Sequence, residues 1–172
     1  MTRVPQPVFR QAAPALIALF IGVSVYLLDR QPESAYFMAH WMILGDSAQP
    51  FFGDLGNHLP TFVHVYAFIL LTAVVVAPSR AFAIAICIFW LVIDSVFELA
   101  QIRFIAQGVA NLAPEWFRAI PFLENTSDYF LAGTFDVLDL YSIAAGSVAA
   151  YMTIIISARR TYIYASHIQN QQ

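Results

Sequence analysis

The stretch AFAIAICIFWLVIDSVFELAQI, residues 81–102, decides the class of this protein. Its first half is apolar throughout, whereas its second half contains Asp94, Glu98 and Gln101. A carboxylate inside a membrane is energetically costly unless it is paired, protonated or facing a wet cavity. At 100° per residue, the three side chains fall within about 60° of one another on a helix. We therefore expect them to face neighbouring helices rather than lipid, and to belong to a functional site.

The overall composition also indicates a membrane protein. Of the 172 residues, 60% are hydrophobic and 11% are charged, whereas a soluble domain carries about 25% charged residues. The net charge of -3 gives no reason to expect a nucleic-acid partner, and no motif indicates a cofactor. The single cysteine, Cys87, has no second cysteine with which to form an internal disulfide. We expect membrane lipids to be the main partner of the chain.

Four segments approach the roughly 20 apolar residues that are needed to cross a bilayer core. They are residues 12–28, 59–77, 81–102 and 136–157. We therefore predict one all-α domain over residues 1–172, an integral membrane four-helix bundle with one short connection on one side and two long outer loops on the other.

Two long segments connect the predicted spans on that other side. Residues 34–45 are apolar but too short to cross a membrane, and residues 114–133 mix aromatic with charged side chains. Such segments often lie at the level of the lipid headgroups. We predict that both long outer loops contain short interfacial helices; a lid over the bundle is the alternative.

The arginines predict the orientation in the membrane. With four crossings, five arginines lie on the side of the two termini and three lie on the opposite side. The five are Arg3, Arg10, Arg80, Arg159 and Arg160, and the three are Arg30, Arg103 and Arg118. Because basic residues favour the cytoplasmic side, we expect both termini in the cytoplasm.

Polar residues of three helices are predicted to converge near the outer surface. If the third helix leaves the membrane near residue 102, Glu98 lies about 6 Å below that surface, and His64 of the second helix lies about 7 Å below it. The fourth helix begins at the same surface. We expect His64 to lie within hydrogen-bonding or single-water distance of Glu98 or Asp139. The predicted cluster consists of His64, Asp94, Glu98, Gln101, Arg103, Asp136 and Asp139.

A purely structural role is an open alternative for this cluster. Asp136 and Asp139 open a helix, where carboxylates are stabilised by the positive end of the helix dipole. A histidine bonded to an acid could simply tie two helices together. The fourth helix also has small residues four apart, Ser142, Gly146 and Ala150, which favour close helix packing in lipid.

These residues resemble the VanZ-like family of small bacterial inner-membrane proteins, which takes its name from teicoplanin resistance. The family pattern combines a histidine early in the second helix, an E-x-x-Q pair late in the third, and an aspartate seven residues before a glycine in the fourth. The matching residues here are His64, Glu98 with Gln101, and Asp139 with Gly146. The resemblance covers residues 59–151 and implies a four-helix protein of the bacterial inner (plasma) membrane.

Three functions are compatible with these observations. The first is an outward-facing polar pocket that binds a polar or lipid-linked cell-envelope ligand, with Arg103 or Arg118 attracting an anionic group. The second is an accessory structural subunit of a larger membrane protein complex, and the third is a membrane-embedded enzyme that acts on a lipid-linked substrate. No motif identifies a metal site; if a metal is bound, His64, Glu98 and Asp139 would be its ligands. The sequence names no ligand, no protein partner and no oligomeric state.

Overall fold

Helices make up the regular structure of this protein. The computed structural model describes residues 9–29, 50–76, 79–121 and 123–169, with side chains of residues 10–158 within those ranges. Every regular element in the described ranges is a helix. The all-α fold class predicted from the sequence is therefore confirmed.

Within the described ranges, six α-helices and two short 3₁₀ turns follow one another. Four of the α-helices contain stretches of 20 to 22 residues that are long and apolar enough to cross a membrane, so the predicted multi-pass, four-helix architecture is confirmed. The α-helices are α1 (Phe9–Asp29), α2 (Leu55–Val76), α3 (Arg80–Leu99), α4 (Arg103–Leu112), α5 (Thr126–Ala132) and α6 (Val137–Gln169), and the 3₁₀ turns are Glu115–Ala119 and Leu123–Asn125.

The bounds of α2 and α3 differ from the predicted spans in a way that matters for the site. Helix α2 begins at Leu55 rather than at residue 59. The carboxylate of Asp29, at the end of α1, accepts the backbone N–H groups of Phe51 and Phe52 at 2.7 and 2.8 Å. These bonds position the turn before α2, so that the helix starts four residues before the predicted position. Helix α3 ends at Leu99, three residues before the predicted end.

The core of the bundle is formed by α1, α2, α3 and α6. Its largest fully buried side chains include Val65, Ile69 and Leu70 of α2 together with Ile143 of α6. Helices α2 and α6 approach closely at Gly146, where an added Cβ would lie 2.7 Å from the backbone oxygen of Phe62. The predicted small-residue seam therefore does bring two helix backbones together, because only a glycine leaves space for the carbonyl.

The segment between α3 and α6 folds into a small helical cap. Helix α4 packs against α5 through Ala106 and Phe130, both buried, with Ala100 beside them. Helix α5 and both 3₁₀ turns fall within the loop for which short helices were predicted. The other predicted loop segment, residues 34–45, lies outside the described residues. The cap stands at the end of the bundle where α1 and α3 end and where α2 and α6 begin, which we call the polar end.

Candidate functional site at the polar end

Glu98 is the central residue of the polar end. It is 6% exposed, and its Oε1 atom accepts the backbone N–H of Asp136 at 2.8 Å. The first N–H groups of a helix have no partner within the helix, and the start of a helix carries a partial positive charge. Asp136 immediately precedes α6, so Glu98 of α3 is stabilised by the beginning of α6. One carboxylate thus ties the end of one span to the start of another.

Gln101 connects Glu98 to the cap. Its Nε2 atom donates to Oε2 of Glu98 at 3.3 Å and to the hydroxyl of Tyr129 at 3.4 Å. Burial is the main cause that raises the pKa of Tyr129 to about 12, and the charge of Glu98 adds to it. The phenol is therefore neutral at physiological pH. A Cβ at Gly133 would lie 2.5 Å from Oε1 of Gln101, so the amide fills the space that this glycine leaves.

Asp136 and Asp139 have different roles at the start of α6. Oδ1 of Asp136 accepts the N–H of Leu138 at 2.8 Å, which is the geometry of a helix cap. Asp139 instead bonds Nδ1 of His58 at 3.0 Å, and the same nitrogen lies 4.0 Å from Oδ2 of Asp136. Helix capping thus accounts for Asp136, whereas Asp139 joins α6 to α2.

The predicted partner of His64 was wrong. The structure places His64 against Asp94, with Nδ1 and Oδ1 3.3 Å apart, and the histidine bonded to Asp139 is His58. The reason is the early start of α2. Because the helix begins at Leu55, His64 is nine residues from its start and about 14 Å along the axis, whereas His58 is about 5 Å along it. His58, not His64, is therefore level with Glu98.

The His64–Asp94 pair forms a separate polar site deeper in the bundle. The side chain of His64 is 48% exposed and that of Asp94 is 12% exposed. The His64 ring meets Phe68 edge to face, with centroids 4.3 Å apart. Oδ2 of Asp94 is buried and has no hydrogen-bond partner in the described part of the chain. The half-exposed imidazole is thus open to another polar group, whereas the unpartnered carboxylate oxygen is enclosed by the protein.

Arg103 lies beside the cluster, in a groove between the end of α3, α4 and α5. The groove has a volume of about 590 Å³, and Gln101, Arg103 and Gln107 form its polar wall, while Ala106 and Phe130 contribute apolar surface. Arg118 lines a different cavity of about 470 Å³, together with acidic residues of the cap. Of the two arginines predicted to attract an anion, Arg103 is therefore the one that adjoins the Glu98 cluster.

The residues proposed as metal ligands are not brought together. In the ranges that the structure describes, no three histidine, cysteine, aspartate or glutamate side chains are placed to hold a metal ion. His64 pairs with Asp94, and Asp139 pairs with His58. The candidate set of His64, Glu98 and Asp139 is thus divided between two sites.

Comparison with protein-family models, with curated proteins and with solved structures finds no match for this chain.

Two residues of the site were missed by the sequence reasoning. His58 was assigned to the loop before α2, although Asp54 is of a type that favours the position before a helix and could have indicated the earlier start. Tyr129 was recognised only as one aromatic of the outer loop. No sequence signal indicates that its hydroxyl meets Gln101, because the two residues are 28 positions apart and are joined by the folding of the cap.

Proposed function

We propose that this chain is a VanZ-like integral membrane protein that binds a lipid-linked cell-envelope ligand at its polar end. The observation that supports this proposal is the groove beside Glu98, which combines a polar wall with apolar surface. An amphiphile needs both, since its headgroup requires hydrogen bonds and charge while its chain requires apolar contact. The proposal also draws on the resemblance of residues 59–151 to the VanZ-like family.

Arg103 is the residue that would select the headgroup. Its side chain is exposed and lines the groove, and arginine binds phosphate or carboxylate groups through paired hydrogen bonds. An anionic headgroup bonded to Arg103 would lie next to Gln101, whose amide already bonds Glu98. Binding at the groove and the hydrogen bonds of the cluster would thus be coupled through Gln101.

Binding of a defined amphiphile tests this proposal. The purified protein in mild detergent is titrated with undecaprenyl phosphate, and bound lipid is counted by native mass spectrometry. Loss of a charge-assisted hydrogen bond costs about 1.5–3 kcal/mol, so Arg103→Gln should weaken binding by about tenfold or more. Arg118→Gln is the matched control, because it removes an exposed arginine of the same segment that does not line the groove. Equal affinity of the two variants would refute the role of Arg103.

The orientation is part of the same proposal. We place the protein in the bacterial inner membrane with both termini in the cytoplasm, supported by the five-to-three arginine distribution. Alkaline phosphatase is active only outside the cytoplasm. A fusion after Arg160 should be inactive, whereas an insertion between Asp46 and Asp54 should be active. The reverse pattern would move the polar end to the cytoplasmic side.

An accessory subunit of a larger membrane complex is the second candidate, and the His64–Asp94 pair favours it. A half-exposed histidine within a span is costly in contact with lipid alone. A polar side chain of a partner protein would satisfy it. Native mass spectrometry after mild extraction separates the candidates, since a dedicated subunit should be released with one fixed partner at constant stoichiometry.

A further inference from the structure

Helix α4 has three distinct flanks. Its buried flank contains Ala106 and packs against α5. At 100° per residue, its exposed residues divide into two further flanks. The apolar flank, which spans about 80°, consists of Phe104, Gly108 and Leu112; the polar flank, equally wide and adjoining it, consists of Arg103, Gln107 and Asn111.

The large side chains of the apolar flank are mostly exposed. Phe104 is 76% exposed and Leu112 is 82% exposed. Trp116, which follows in the first 3₁₀ turn, is 59% exposed, and tryptophan is enriched where a membrane meets water. Packing against α5 therefore leaves two large apolar side chains of α4 and a neighbouring tryptophan without cover in the described structure.

The position of α4 along the chain determines what lies beside it. Helix α3 is a membrane span that ends at Leu99, and α4 begins at Arg103. Three linking residues cannot extend beyond about 10 Å, so the start of α4 stays close to the membrane surface. The exposed apolar side of α3 includes Val92 and Val96 and ends near the start of α4. Lipid is thus the apolar phase within reach of Phe104.

We propose that α4 is an interfacial helix that lies at the boundary between the bilayer and water. Its apolar flank enters the boundary between headgroups and acyl chains, while Arg103, Gln107 and Asn111 face headgroups and water, as in other amphipathic interfacial helices. Because Arg103 and Gln107 also line the groove, this placement opens the groove at headgroup level. The proposal concerns the helix alone and does not depend on what the groove binds.

Spin-label accessibility tests this placement. Single cysteines are introduced in a Cys87→Ala background, at Phe104 and Leu112 on the apolar flank and at Gln107 and Asn111 on the polar flank. Each labelled protein is reconstituted in nanodiscs of phosphatidylcholine and phosphatidylglycerol. Collision rates are measured with oxygen, which concentrates in lipid, and with a nickel chelate, which stays in water. A label at Val92 on the exposed side of α3 is the lipid-facing reference.

The expected result is a difference between two flanks of one short helix. Labels at Phe104 and Leu112 should approach the oxygen preference of the label at Val92, whereas labels at Gln107 and Asn111 should favour the nickel chelate. A preference for nickel at all four positions would place α4 in water and overturn the proposal. An oxygen preference at all four positions would place α4 within the acyl chains. Protection of the labels at Phe104 and Leu112 from both reagents would show that protein covers the apolar flank. Either result would also overturn the proposal. Weak lipid binding with the expected labelling pattern would count against the proposed function only.

Discussion

The two halves of the bundle use different kinds of polar interaction. At the polar end, carboxylates of three helices are bonded across helix boundaries, as in Glu98 with the N–H of Asp136 and Asp139 with His58. In the opposite half, the side-chain bonds between helices are neutral among the described residues: Trp90 Nε1 donates to Thr72 at 3.0 Å. Neutral bonds and close packing thus suffice to join membrane helices in this protein.

This difference bears on why the carboxylates are present. A buried charged group is rarely the most stabilising choice at its position, since well-packed apolar residues of similar volume are often as good or better. The apolar half, with Ile69, Leu70 and Ile154 buried, is packed in that way. The polar end keeps acids where the same chain elsewhere uses apolar residues, and this contrast is the structural reason to assign a function to it.

The largest effect is expected at Glu98. Glu98→Leu leaves the N–H of Asp136 and the amide of Gln101 without their acceptor, which should lower the free energy of unfolding by about 3 kcal/mol. Glu98→Gln should cost less than about 1 kcal/mol, because a glutamine of the same shape can still accept from Asp136 and Gln101 can rotate its amide. Thermal unfolding in detergent measures both variants.

The same pair of variants separates function from structure at the polar end. If the charge of Glu98 is functional, Glu98→Gln should lose lipid binding while it keeps its stability. If Glu98 is only a tie between helices, Glu98→Gln should bind as well as the wild type. Equal stability of Glu98→Leu and wild type would show that the hydrogen bonds contribute little to the fold.

The next largest effect is expected where packing, not charge, joins the helices. In Gly146→Ala the new Cβ would lie 2.7 Å from the Phe62 carbonyl, so α2 and α6 must separate, at a cost of about 1–3 kcal/mol. Gly108→Ala is the matched control, since nothing lies within 4 Å of its Cβ position in α4, and alanine should stabilise that helix by about 0.5–1 kcal/mol. Destabilisation by both variants alike would rule out the close approach of α2 and α6 as the cause.

The smallest effects are expected for the two histidine pairs. Double-mutant cycles compare His58→Ala with Asp139→Ala, and His64→Ala with Asp94→Ala. Hydrogen bonds between membrane helices average about 0.6 kcal/mol and reach about 1.7 kcal/mol. We expect the coupling of His58 with Asp139 near the upper value, because that bond is shorter and its histidine is less exposed, and the coupling of His64 with Asp94 near the average. A larger coupling for His64 with Asp94 would show that it, rather than the polar end, is the more tightly bonded site.

The pairing of histidines with acids shows where sequence reasoning was limited. The depth of each polar residue was estimated from predicted helix ends, and those ends were off by three or four residues in α2 and α3. At 1.5 Å per residue the two errors together change the relative depth of α2 and α3 residues by about 10 Å, which is enough to replace His64 by His58, about 9 Å away along α2. The four membrane-spanning helices and their order did not depend on those ends and were predicted correctly.

The sequence by itself determined the four apolar helices, because hydrophobicity and the length needed to cross a bilayer are properties of each segment taken alone. It also determined that Asp94 and Glu98 share one face of α3, since that follows from the helical period. Only the tertiary structure decided their partners. Glu98 bonds a backbone N–H that lies 38 residues away, and that contact exists because α3 ends where α6 begins. Such partners depend on where each helix ends and the chain turns. Contacts between segments distant in sequence establish these positions, namely the bonds of Asp29 to Phe51 and Phe52 and the packing of α4 on α5.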